Sequence, residues 1–168
     1  KLWALLGEEK FDDLKAALSK YEEPVTGDAK LLATPNFIDE PASSLAELSF
    51  LRAKVYDHAG EKTKALDDYY RSFTLAYGND NLLSKLAMGQ SMLQLSKEPA
   101  LENPESQVAA EMQSLAYLFR IRFGKDSIPE AFQKYAQRPA MAMPGAASSS
   151  PEEANPTSEA GTAEEAAE

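Results

Sequence analysis

Cysteine is missing from all 168 residues of this chain. Disulfide frameworks, zinc–thiolate centres and cysteine nucleophiles are thereby excluded together. A cysteine-free chain suits a bacterial cell envelope or periplasm as readily as a cytoplasm, so the compartment stays open. Histidine occurs once, at position 58. No run approaches 18 apolar residues, so no segment reads as a membrane span. Positive charge is also scarce, with 17 Lys and Arg against 27 Asp and Glu and a net charge of −10. That deficit is uneven. The last base is Arg138, and six glutamates follow it; without them 21 acids face 17 bases and the body carries −4. An acidic chain with no basic stripe repels phosphate backbones, so nucleic acid is not an expected partner. The chain opens on Lys1 rather than Met, as expected of a processed or excised segment.

What the chain does have is apolar content arranged with helical spacing. Hydrophobic residues make up 43% of it and there are 15 aromatics, enough for one buried core. No stretch alternates with period two for long enough to read as a strand. The expected fold is therefore all-α, with six or seven helices joined as antiparallel hairpins over residues 1–138. Residues 139–168 hold Ala, Ser, Pro, Gly and Glu with no aromatic, a composition that buries too little to offset its ordering entropy. They are expected to be a disordered acidic tail.

Phe11, Leu14, Ala17, Leu18 and Tyr21 recur on one face of a first helix that Pro24 stops; Leu2, Leu5 and Leu6 extend it or form a helix ending at Gly7. A three-proline connection follows, with Leu31, Leu32, Phe37 and Ile38 expected to pin it down. Ser44 and Glu47 have capping-box spacing and predict the start of the second helix, which buries Leu45, Leu48, Leu51 and Val55. After Gly60 a third helix buries Ala65, Leu66, Tyr69, Phe73 and Ala76, with Gly78 as its stop. A fourth spans about 81–97 and carries Leu82, Leu83, Leu86, Met92, Leu93 and Leu95. Asn103-Pro104 predicts the start of a fifth, with Val108, Met112, Leu115, Leu118, Phe119 and Phe123 as its stripe and Gly124 beyond it. Ser127 and Glu130 predict a last capping box, before a helix burying Ala131, Phe132 and Tyr135.

Ala53, Tyr56, Gly60, Ala65 and Tyr69 stand at intervals that place small residues where two helices meet, rings beside them and Gly in the turn. In this pattern residues 46–79 resemble a tetratricopeptide repeat. Ser49, Arg52, Ser72 and Tyr77 replace that family's usual residues at four further positions. Leu83, Leu86 and Ala87 fit the first helix of a second unit, and Pro99 ends the match, so about one and a half repeats are covered over residues 46–97. The resemblance implies a short right-handed solenoid with helical caps, and a groove lined by the first helix of each pair. Carried over by position, that groove holds Glu47, Phe50, Lys54, Asp57 and His58, then Asn81, Ser84, Met88, Ser91 and Met92. Phe50, Lys54, Asp57, Met88 and Met92 are the predicted partner-binding residues. Their mixed lining suits a peptide or helix of a partner protein, with methionines adapting to its shape.

Chemistry is poorly served. His58 beside Asp57 is half of an acid–base pair with no marked nucleophile. The adjacent acids Asp12-Asp13, Glu22-Glu23, Asp39-Glu40 and Asp67-Asp68 point about 100° apart on a helix, so none is a catalytic dyad; they read as solvated faces, with Asp67 or Asp68 near Arg71. "GKDS" at 124–127 lacks the upstream Gly and strand of a phosphate loop. Arg120, Arg122 and Lys125 make a small basic cluster that suits an acidic partner or the chain's own tail. The expectation is a non-catalytic adaptor or assembly scaffold with no cofactor and no metal. An accessory subunit anchored through Trp3, Tyr70 and Tyr77 is the alternative, and an all-α hydrolase using separated acids is remote.

Overall fold

The computed structural model describes residues 1–22, 37 and 41–137. Among these residues six α-helices run in chain order: α1 (Leu2–Gly7), α2 (Phe11–Leu18), α3 (Ala42–His58), α4 (Lys62–Leu75), α5 (Asn81–Leu95) and α6 (Gln107–Phe123). Among the described residues there are also three short 3-10 turns, Pro99–Glu102, Lys125–Ser127 and Glu130–Tyr135. Among the described residues there is no β-strand, only an isolated antiparallel bridge between Glu22 and Phe37. The fold is all-α. The expectations for Pro24, Leu31, Leu32, Ile38 and the 139–168 tail fall outside the described residues, while Phe37 is buried.

The helix–turn–helix plan follows from the glycines and small residues. Gly60 (φ 76°) and Gly78 (φ 92°) occupy left-handed backbone that a Cβ strains, and they end α3 and α4 where the sequence predicts. Ala53 and Ala65 are fully buried at the junction of these helices, the most extensive helix pair, with Tyr69 buried beside them and Tyr56 half-buried. Leu14 and Leu18 of α2 pack on Leu48, Leu51 and Val55 of α3. On the far side Met88, Met92 and Leu95 of α5 meet Met112, Leu115 and Phe119 of α6 and Phe132 beyond it. Leu66, Tyr70 and Phe73 reach into the same cluster from α4.

Helix starts differ from expectation in three places. Pro41 precedes α3, so Ser44 is already inside the helix and caps nothing. Ser106, not Asn103, caps α6, its hydroxyl accepting from the Ala109 N–H at 3.1 Å. Pro129 precedes the last turn, which is 3-10 rather than α-helical, and Ala131 is exposed while Ile128 and Ala136 take core places. Proline at a helix entrance fixes φ near −65° and overrides a nearby cap signal. Gly7 does end α1 as a separate helix, leaving Tyr21 outside α2 and exposed.

Candidate docking surface

Of the five predicted partner-binding residues, three are core. Phe50 is buried because Trp3 of α1 stacks on its ring at 5.6 Å, held there by a Trp3 Nε1–H donated to Glu47 Oε2 at 3.3 Å. Met88 and Met92 are buried against α6 and α4. α5 is rotated so that these methionines face inward, and Ser84 and Ser91 with them, rather than lining a groove. Lys54 and Asp57 stay at the surface and tie α3 to α5. Lys54 Nζ donates to Gln90 Oε1 at 3.1 Å, and Lys97 Nζ lies 3.4 Å from Asp57 Oδ1. Burial lowers the Lys54 ammonium pKa, with nearby Lys97 adding and Asp57 opposing. His58 lies flat on Phe11, their ring centroids 4.0 Å apart.

The acids divide unexpectedly. Asp68 is not a solvated charge: it accepts two bonds from Arg52, Nε to Oδ2 at 2.7 Å and Nη2 to Oδ1 at 2.8 Å, with both residues 2% exposed. Arg52 also donates to Glu22 at 3.1 Å and lies 4.1 Å from the centroid of the Phe37 ring. Burial works against charge on both partners. At Asp68 it is the larger influence and raises the carboxyl pKa, while at Arg52 the bonds to Asp68 and Glu22 prevail and hold the guanidinium above its ordinary value. Arg52 stands where the repeat pattern carries an apolar residue, and its role is to join α3, α4 and the residues flanking 23–36. Ser72 likewise replaces a packing Ala, and its hydroxyl reaches the Ala46 carbonyl at 2.8 Å.

Surface apolarity collects on α5. Leu83, Met92 and Leu95 are buried, but Leu82, Leu86 and Leu93 are 69%, 42% and 44% exposed. With Gly89 they share about 60° of helical arc. Gly89 has ordinary φ and nothing within 4 Å of where a Cβ would stand, so the fold of the chain does not call for it. A mid-helix Gly costs about 1 kcal/mol against Ala. Leu118 and Ile121 of α6, counted in its buried stripe or left unassigned by the sequence, are exposed as well. At the start of α5, Arg122 donates from Nη2 to Asn81 Oδ1 at 3.0 Å and lies 3.8 Å from the centroid of the Tyr77 ring, which is 68% exposed. Trp3 is partly exposed, whereas Tyr70 is half-buried against Phe73 and donates to Glu111.

The sequence places the α5 leucines on one helix without separating those that face the core from those that face outward. The missed signal was that α5 is apolar on opposite faces, more than one packing surface accounts for. Among the described residues no group of three His, Cys, Asp or Glu is placed to hold a metal ion, and no helix is long and apolar enough to cross a membrane. Comparison with protein-family models, with curated proteins and with solved structures found no match to this chain.

Proposed function

We propose that this chain is a non-catalytic docking module, an adaptor or scaffold whose stacked helical hairpins resemble tetratricopeptide repeats and receive a peptide or helix of a partner protein. The observation that carries the reading is the row of exposed leucines 82, 86 and 93 on the outer face of α5. Scattered surface leucines are ordinary, but three on one face of one helix form a patch that water solvates poorly. Covering their exposed halves yields about 1 kcal/mol each. The repeat-like arrangement is supported by the polar links from α3 to α5, which join residues 36 and 40 apart, near the 34-residue period of that family. The receiving face in this reading keeps Lys54 and Asp57 as its polar edge and replaces Phe50, Met88 and Met92 with the leucines.

The test is capture of the native partner by the full chain. Leu86→Asp with Leu93→Asp removes the captured protein while circular dichroism and melting temperature stay at wild-type values, and Trp3→Ala and Tyr77→Ala retain it. Equal capture by wild type and the leucine variant overturns the reading. The exposure of Tyr77 and Trp3 favours a second reading, an accessory subunit held by aromatics. Loss of capture on Tyr77→Ala and Trp3→Ala, with the leucine variant still active, selects it.

A further inference from the structure

The α5 leucine row has a spacing, a gap and a charged rim, and together they specify what covers it. Leu82, Leu86, Gly89 and Leu93 are separated by four, three and four residues. That is the seam spacing of helices that pack side by side, where each side chain of one enters a hole in the other. Gly89 is the hole: it lies between Leu86 and Leu93 with open space above it. No loop or strand occupant needs a seam that repeats every three to four residues.

The rim is basic although the protein is acidic. Between Asp80 and Glu98 the only charged side chains are Lys85 and Lys97, and between Glu111 and Asp126 they are Arg120, Arg122 and Lys125. Lys85 and Arg122 flank the row on the α6 side, where Lys85 lies 6.0 Å from the Phe123 ring centroid and Arg122 bonds Asn81. Lys54, through Gln90, and Lys97 flank it on the α3 side. Lys97 meets Asp57, but Lys54, Lys85 and Arg122 form no ion pair with a described carboxylate. The buried Nε of Arg122 also lacks an acceptor among the described residues.

Resting on the docking reading, we infer that the occupant is an amphipathic α-helix of a partner protein, laid along α5 with a bulky side chain in the Gly89 gap and acidic residues along both its edges. A second copy of this chain fits badly, because pairing α5 with itself sets basic rim against basic rim. The chain's own residues 139–168 fit badly too. They contain the needed glutamates, but their only large apolar residues are Met141 and Met143, two positions apart and nine or more before the first glutamate, which does not match a seam repeating every three to four residues.

The probe is a synthetic helix of about 20 residues with Leu at seam positions, Phe at the central one and Glu on both edges, compared with the same peptide bearing Lys for Glu. Binding to the full chain is read by fluorescence anisotropy. The acidic peptide binds at least about tenfold tighter than the basic one, and added salt narrows the difference. Gly89→Leu lowers its affinity about tenfold and raises the melting temperature, since it fills the gap with a better helix former. Lys54→Glu with Lys85→Glu reverses the preference between the peptides. Equal or inverted preference for the wild type, or an unaffected Gly89→Leu, overturns the inference. So does competition by a synthetic 139–168 peptide, or a dimer in sedimentation that Gly89→Leu dissolves. If native capture still depends on Leu86 and Leu93 while the acidic peptide is ignored, the inference falls alone. If capture is indifferent to those leucines as well, the docking reading falls with it.

Discussion

The α3–α4 hairpin and the α5–α6 pair use the same helical units and close them in opposite ways. The first is sealed by polar side chains: Arg52 and Asp68 lie between its helices, Ser72 reaches the Ala46 carbonyl, and alanines set the spacing. The second is filled by Met88, Met92, Met112, Leu115 and Phe119, with no buried ion pair among its described residues, and leaves leucines facing outward. Buried charge pairs are unforgiving of geometry, so the first half has one way to pack. Thioethers with three rotatable bonds tolerate several arrangements, the compliance that the proposed docking face calls for.

The contrast can be broken at its polar end first. Asp68→Ala leaves the Arg52 guanidinium buried with its principal partner gone. Unfolding in urea is expected to show a loss of about 3–5 kcal/mol, and a loss under 1 kcal/mol removes the distinction between the halves. Met92→Ala, the matching deletion in the second half, costs less, about 2–3 kcal/mol, because neighbouring methionines close part of the cavity. The same urea titration measures it, and a cost equal to that of Asp68→Ala counts against a compliant second half.

The smallest effect has the opposite sign. The Tyr69 hydroxyl is buried without a hydrogen-bond partner among the described residues, and burial, with Asp57 adding, raises its pKa. Tyr69→Phe is expected to stabilise the fold by about 1 kcal/mol. Because the folded-state pKa lies above that of the unfolded chain, the contribution of this tyrosine to stability is whole below pH of about 10 and lost as pH climbs further. Thermal melts across that range are expected to show a shallower alkaline decline in the variant, and identical profiles argue for a satisfied hydroxyl.

Much of the first half was legible because its signals are local. Gly60, Ala53 and Ala65 declare a tight turn between closely packed helices, and all three do that in the fold. Cap signals at Ser44, Asn103 and Ser127 misled because entry of the chain through Pro41 or capping by Ser106 takes precedence. The site was less legible. Phe50 is covered by Trp3, 47 residues away along the chain, and nothing near Phe50 announces that. Asp68 reads as a surface acid from its neighbours alone, since its partner lies 16 residues back on another helix. The outward turn of Leu82, Leu86 and Leu93 depends on how α5 is rotated by α4 and α6 together, a tertiary fact that helical spacing leaves undetermined.

Arg52 fixes more than a hairpin. Glu22 and Phe37, the residues on either side of 23–36, both come to rest on its guanidinium. One guanidinium thus anchors two points of the chain and the partner helix together, so Arg52→Leu is expected to release Glu22, Phe37 and Asp68 at once rather than one by one.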